Sequence, residues 1–371
     1  MRYVLGIDIG STRIKAAVCR RAGEFWGEPQ VALRPIESVV HVAADGTVLV
    51  GPEARRLIPH EPQRIARGFA RRVGDDVPLV LGDELYLAQS LTAVTVGWIV
   101  DQIAQVEGGE PGRVAISHPP GWGPYRRRLL YEALRDAGLP DALLLPSPVA
   151  AAESQLVRER VEPGTTLAVC RFGGEYVDFA VLRRGTSTFE VLAHAEQPAP
   201  EFGDLLADRF DGNLAAAAEA KELLSTPADF DGPITRAEFD NLLHPVVRTT
   251  LTQLTRYENL DAVLLVGGHA RIPLVAEVAA ELVDCRVITD PDAGTAAARG
   301  AALAARPAAE ASPESTALVP RVTGFPELDP DEVYDAEPAP PRPPVVITPL
   351  EPPRRRFVPS RRSRSDSEDS A

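Results

Sequence analysis

The strongest constraint on the fold is a pattern that occurs twice. YVLGIDIGST, from residue 3, leaves an apolar strand at a glycine and returns as the apolar run IKAAVCRR. TLAVCRFGGEYVDFAVL, residues 166–182, does the same around Gly173-Gly174. Each hairpin is followed by a buried strand, a turn and a helix. In the first half these are RVAISH and RRRLLYEALRDAGL; in the second, DAVLLVGG and RIPLVAEVAAEL. Short apolar runs bounded by Gly and Pro read as strands, and apolar residues at helical spacing read as amphipathic helices. The order is that of a mixed α/β fold whose two halves echo each other without repeating in sequence.

Other segments fill in the frame. SVVHVAADGTVLVG, residues 38–51, alternates around Asp45-Gly46 and predicts a hairpin. LYLAQSLTAVTVGWIVDQIAQV, 85–106, predicts a long helix, and LLLPSPVAAAESQLV a strand running into another. Thr235, with Glu238 three residues on, predicts an N-capped helix through RAEFDNLLHPVVRTTLTQLTRY. TAAARGAALAA predicts a small-residue helix able to pack closely. Composition changes near residue 307, where Pro, Glu, Asp, Ser and Arg take over. The chain therefore divides into a body, 1–306, and a tail, 307–371, which is expected to be disordered because it has too few apolar residues to offset chain entropy.

The chain has 371 residues and a net charge of −14, an acidic excess that argues against nucleic-acid binding by the body. Cys19, Cys170 and Cys285 are too far apart for a metal motif and are expected to be reduced, buried thiols. No signal peptide and no apolar run near the roughly 20 residues of a membrane span is present, so a cytoplasmic protein is expected. Lys15 and Lys221 are the only lysines among 39 basic residues, which singles them out.

Glycine turns after strands let a backbone approach an anion closely and aim N–H groups at it. Gly10-Ser11-Thr12, Gly173-Gly174 and Gly267-Gly268 are three such turns, each after an apolar strand. In the order and setting of these turns the body resembles the nucleotide-binding domain of the Hsp70 chaperones, within the actin–sugar kinase–Hsp70 superfamily. LGIDIGST resembles the first phosphate loop and RFGGEYVDFAVL the second. LLVGGHARIPLVAEVAAEL resembles the strand, turn and helix beside the adenosine. ITRAEFDNLL, EAKELLS and DPDAGTAAARGAALAA resemble three further family segments, and the match runs in family order through nearly all of 1–306.

The resemblance implies an actin/Hsp70-like two-lobed ATPase fold of duplicated ribonuclease H-like domains, each on a five-stranded sheet, with ATP or ADP in the cleft between them. Lobe I is expected at about 1–160 plus the closing helix 290–306, and lobe II at about 165–285. The resemblance implies adenosine contacts from Lys221, Ser225, Gly268 and Arg271, with Gly267 among the nucleotide-binding residues. It implies phosphate contacts from Gly10, Ser11, Thr12, Gly173 and Gly174, with Asp8 as a catalytic carboxylate that holds Mg²⁺ through water if the metal binds. Lys15 stands seven residues after Asp8, where actins carry a phosphate-binding lysine.

Hydrolysis is where the pattern departs. Family members carry an Asp where this chain has Arg171, a Gly at Glu175, a Thr at Tyr176, a Glu at Ser147, and a Lys at Ala70 or one of its neighbours Arg71 and Arg72. Phosphoryl transfer to water needs an oriented metal and an ordered nucleophile. An arginine near the phosphates can neutralise them directly with a bidentate guanidinium, binding nucleotide without preparing a water. Three readings follow: a nucleotide-responsive, chaperone-related protein with weak or no hydrolysis and an unknown protein partner; a pseudo-ATPase scaffold whose cleft is filled by an Arg171–Glu175 salt bridge; and an ATPase with rearranged catalytic groups. A sugar kinase is disfavoured for want of a separate Asp base. Nothing after 307 resembles the family's peptide-gripping domain, and the segment before ITRAEF looks trimmed. In the tail, the island PPVVITPL (343–350) could dock on a lobe or a partner. The Arg-rich, then acidic, C-terminal segment could bind an acidic surface.

Overall fold

In the computed structural model, which describes residues 2–225 and 233–307, YVLGIDI forms β1 (Tyr3–Ile9). It turns at Gly10 into the antiparallel β2 (Arg13–Ala22). β1 has no polar alternation because it is covered on both faces. Leu5 and Ile7 join one core cluster, and Val4 joins another. β3 (Phe25–Trp26) and β4 (Gln30–Glu37) both pair with β2. The Asp45-Gly46 hairpin forms as β5 (Val39–Val42) and β6 (Val48–Val50), with Gly46 at φ 85°. α1 (Pro52–Leu57) leads to β7 (Ile65–Arg67), which pairs with β5.

β8 (Leu79–Leu81) and β9 (Glu84–Tyr86) form a small hairpin before α2 (Ala88–Glu107). The sequence predicts helix from residue 85; instead the first residues of that run pair in β9. The far end stops at Gly108, whose φ of 75° suits a residue without Cβ. β10 (Val114–His118) lies parallel to β1. α3 (Pro124–Asp136), β11 (Leu143–Pro146) and α4 (Ser147–Gln155) follow, with β11 parallel to β10. The sheet order is β11-β10-β1-β2-β3 with β4 also on β2. This sheet has six strands where the resemblance implies five; the extra one is the two-residue β3.

The second half repeats the plan. β12 (Thr166–Phe172), β13 (Tyr176–Arg184) and β14 (Phe189–Pro198) form an antiparallel meander. α5 (Phe202–Ala207), α6 (Leu214–Leu224) and α7 (Arg236–Leu251) pack beyond it. β15 (Ala262–Val266), α8 (Pro273–Leu282) and β16 (Arg286–Thr289) then add two parallel strands. The order β14-β13-β12-β15-β16 matches β4-β2-β1-β10-β11 of the first sheet. This duplicated arrangement is the actin/Hsp70-like ATPase fold.

α9 (Ala296–Ala304) joins the two halves. Its alanines cover the inner face of the first sheet together with Val4, Ala17, Cys19 and Ala115, while Ala296 belongs to the second sheet's cluster. Small residues let backbones touch: a Cβ on Gly6 would collide with Ala298 and Ala302 of α9, and one on Gly300 with the carbonyl of Ala150 in α4. α4 and α9 thus pack at backbone contact behind the two glycine turns. The described residues form one compact unit. Cys19 and Cys170 are buried, Cys285 is half-buried, and all three are free thiols. Among the described residues no helix is long and apolar enough to cross a membrane. The tail from 308 on, with the PPVVITPL island and the Arg-rich end, lies outside the described residues.

Candidate functional site

A cleft of about 670 Å³ opens between the two sheets. Asp8, Gly10, Ser11, Thr12, Lys15, Arg171, Gly173, Gly174, Lys221, Gly267, Gly268 and Arg271 all line it. The volume lies within the roughly 300–1,000 Å³ of small-molecule sites. Both phosphate-loop candidates close the same way: the Gly10 amide donates to the Arg13 carbonyl, and the Gly173 amide to the Tyr176 carbonyl, each at 3.0 Å. The two turns touch, since a Cβ on Gly174 would strike the Thr12 side chain. Gly267, at φ 99°, presses on the Phe172 carbonyl and admits no side chain, whereas Gly268 faces open space.

The register of each hairpin places an acid and a base opposite one another just before the turn. Asp8 of β1 faces Lys15 of β2, and Arg171 of β12 faces Asp178 of β13. The polarity is reversed between the halves, so each half sends a cation toward the other's acid. Arg171 donates to Asp178 Oδ2 at 3.0 Å and, across the cleft, to Asp8 Oδ1 at 3.4 Å. Arg71, in a short 3-10 turn of the first half, crosses the other way. It donates to Asp178 Oδ1 and Oδ2 at 2.9 and 3.1 Å and to Glu196. Its guanidinium lies 4.1 Å from the ring centre of Tyr176, a cation–π contact.

Asp8 is 3 % exposed and Asp178 2 %. Lys15 Nζ donates to Asp8 Oδ2 at 3.2 Å and Ser117 Oγ to Asp8 Oδ1 at 2.7 Å. Burial alone would push the Asp8 carboxyl up; Arg171, Lys15 and Ser117 together outweigh it and hold the group well below the usual carboxylate range. Burial lowers the Lys15 ammonium, with Asp8 acting against that, and the carboxylates outweigh burial to raise Arg171.

Several expectations need correction. Arg171 does not pair with Glu175, which sits exposed at the tip of the turn; the β12–β13 register gives Arg171 Asp178 instead. Ser225 does not reach the cleft: it is buried and donates Oγ to the Lys221 carbonyl at 2.7 Å, finishing α6. Ala70 is buried in the first core, and Arg71 is the residue that enters the site. Sequence reasoning missed Asp178, Glu196, His118 and His269. The signal for Asp178 was available, since it stands seven residues after Arg171 as Lys15 does after Asp8.

At the other end of the cleft, Lys221 Nζ donates to His269 Nε2 at 3.2 Å. Burial and the nearby ammonium push His269 down to about 3. Its ring stands edge-on to Phe172 and Phe202. Arg271 pairs with Glu222 at 3.4 Å. Behind Asp8 lies a second, much smaller space of about 20 Å³, lined by Thr92, His118 and Ser147 among others. Nδ1 of His118 donates to the Pro119 carbonyl at 2.8 Å, and burial pushes this imidazole down to about 4.

Chemically, the site fits an anion and does not fit hydrated Mg²⁺. Lys15, Arg71 and Arg171 converge beside the first two glycine turns, and Lys221 and Arg271 line the other end of the cleft. The carboxylates that would hold metal-bound water already accept hydrogen bonds from Ser117, Lys15, Arg171 and Arg71. Among the described residues no group of three or more His, Cys, Asp or Glu is placed to hold a metal ion.

The family model described as Hsp70 protein matches residues 207–313. The chain is 29% identical to the chaperone protein HscA of Pectobacterium carotovorum subsp. carotovorum (strain PC1), over 86% of this chain and 60% of that protein. It is 30% identical to a chaperone protein HscA homolog of Aeromonas hydrophila, over 82% and 58%. To the chaperone protein DnaK of Thermotoga petrophila it is 26% identical, over 74% and 54%. The chain thus spans between 54% and 60% of the length of these curated relatives.

Proposed function

The chain belongs to the Hsp70 family as a nucleotide-binding domain, and from that premise we propose that it binds ATP or ADP, hydrolyses ATP weakly or not at all, and presents lobe closure to a protein partner. The body is residues 1–306, with lobe I about 1–160 plus 290–306 and lobe II about 165–285. Its setting is cytoplasmic and its role chaperone-related. One observation carries the reading: Arg171 stands between Asp8 and Asp178 and uses the carboxylates that metal-assisted hydrolysis needs.

Each residue then has a task. The two turns, closed by the Gly10 and Gly173 amides, offer the following N–H groups of Ser11, Thr12 and Gly174 to phosphate oxygens. Lys15 and Arg171 neutralise the phosphate charge. Lys221, backed by His269, and Arg271 face the nucleoside end. Ser147, at the start of α4, brings only a hydroxyl to a position where a carboxylate could order water. Ligand that favours one lobe arrangement over another shifts the population a partner reads.

A second reading is a scaffold without nucleotide, favoured by the mutual pairing of Asp8, Lys15, Arg171, Asp178 and Arg71. Calorimetry of ATP and ADP against the full chain, with a parallel assay for released phosphate, separates the readings. The expected result is saturable binding with phosphate release at the level of the blank. Absence of binding at millimolar nucleotide establishes the scaffold. Steady release that Asp8→Asn abolishes establishes a working ATPase.

A further inference from the structure

The crossed arginines bear on which form of the nucleotide enters the cleft. Nucleotide-binding sites that use Mg²⁺ offer carboxylates to the hydrated ion, so the ligand arrives as the metal complex. Here the buried carboxylates of the equivalent space are already occupied, each shared by two cations. Lys15, Arg71 and Arg171 face the buried Asp8 and Asp178, and the third carboxylate, Glu196, stands at the rim with a 41 % exposed side chain. A hydrated dication would have to displace guanidinium groups from buried carboxylates, or sit beside them against their repulsion.

A metal-free polyphosphate meets the opposite situation. It is all acceptors and all negative charge. A guanidinium has five N–H donors in a fixed fork, so it can keep a bond to a carboxylate while donating others to phosphate. The fork of Arg171 is held by Asp8 and Asp178 on two sides, and that of Arg71 by Asp178, Glu196 and the face of Tyr176. Both are oriented before any ligand arrives, and preorganised donors lose less on binding.

We infer that the cleft selects the metal-free nucleotide, with Arg171 and Arg71 as the residues that set this specificity and Mg²⁺ as an antagonist of binding. The inference rests on the nucleotide-binding reading above and specifies the ligand of that same site. It reverses the usual signature: chelation strengthens binding instead of abolishing it.

The test is calorimetry of the full chain with ATP at constant ionic strength, first in EDTA and then with rising Mg²⁺. The expected result is an apparent Kd for total ATP about tenfold weaker in excess Mg²⁺, because the metal removes free nucleotide by mass action. Tripolyphosphate, the base-free probe, is expected to displace ATP in EDTA; failure to displace it overturns the assignment to the phosphates. Equal or tighter ATP binding in Mg²⁺ overturns the inference and leaves the nucleotide-binding reading standing. No binding in either medium overturns both. Arg171→Lys, which keeps the charge and removes the fork, is expected to weaken binding in EDTA about tenfold and to reduce the effect of Mg²⁺. Arg171→Asp is expected to bind only with Mg²⁺. The wild-type Mg²⁺ titration decides the matter even where that variant fails to fold.

Discussion

Arg171 and Lys15 show how reversing the order of acid and base in one hairpin sends a cation across the cleft. Both are the basic halves of cross-strand pairs set seven residues apart, one in each sheet. Their presence at glycine turns was legible in the sequence; their partners were legible only in part. Asp8 stood out because it precedes Gly10. Asp178 and Arg71 did not: the seven-residue spacing of Asp178 from Arg171 gains its meaning only with the strand register, and Arg71 reaches its partner 107 positions along the chain. His118 was equally hidden, being an ordinary strand residue until the fold buries it against Trp122. It offers a prediction at this scale. Burial lowers its folded value to about 4, below the ordinary 6.5. The unfolded chain therefore takes up a proton that the native imidazole refuses, and stability present above pH 6.5 is lost as pH falls toward 4. The slope per histidine is at most about 1.4 kcal/mol per pH unit. His118→Phe is expected to flatten the fall in urea midpoint between pH 7 and 4.5; an unchanged slope would refute the assignment. Asp8, held below the usual range, loses its contribution only at still lower pH, so the two effects are separable.

Elements with strong local signals came through the sequence intact, and weakly patterned ones did not. α7 begins where Thr235 predicts. The Glu238 amide donates to Thr235 Oγ1 at 3.3 Å, and the Thr235 amide to Glu238 Oε2 at 2.8 Å, a reciprocal capping box. Thr235→Ala is expected to cost about 1 kcal/mol, measured as a shift of the urea midpoint without a change in slope; no shift would mean that the cap is redundant with the packing of Phe239 and Leu243. β14 went unread for a physical reason. It is an edge strand, and beyond Phe189 its residues are only half-buried or exposed, so FEVLAHAEQP carries no apolar run. β16 is four residues long and likewise lacks a buried face. Both glycine hairpins were legible because their strands are buried and their turns need glycine.

For the molecule as a whole, the duplicated sheet order was readable, whereas the bonds that span the cleft were not, because no local pattern announces a contact between halves. Arg71 and Arg171 tie the lobes from opposite sides. Arg71→Ala strips Asp178 of one of its two arginines and frees Glu196 and Tyr176. The expected outcome is a loss of roughly 1–3 kcal/mol, a larger radius of gyration by X-ray scattering, and faster amide exchange where β13 and β14 leave the cleft. A radius and exchange pattern like the wild type's would show that backbone packing of α4 on α9 alone sets the lobe angle. That packing has a further consequence, in time instead of space. α9 is the last described helix to be synthesised, yet it covers β1, which is the first strand. Until residue 304 has been made, the face carrying Val4, Ala17 and Ala115 is open to water and to other chains. The body therefore cannot finish folding from its N-terminus as it emerges. Its first sheet waits, with an apolar side uncovered, for nearly the whole domain to be made, the condition in which a nascent chain is most prone to aggregate.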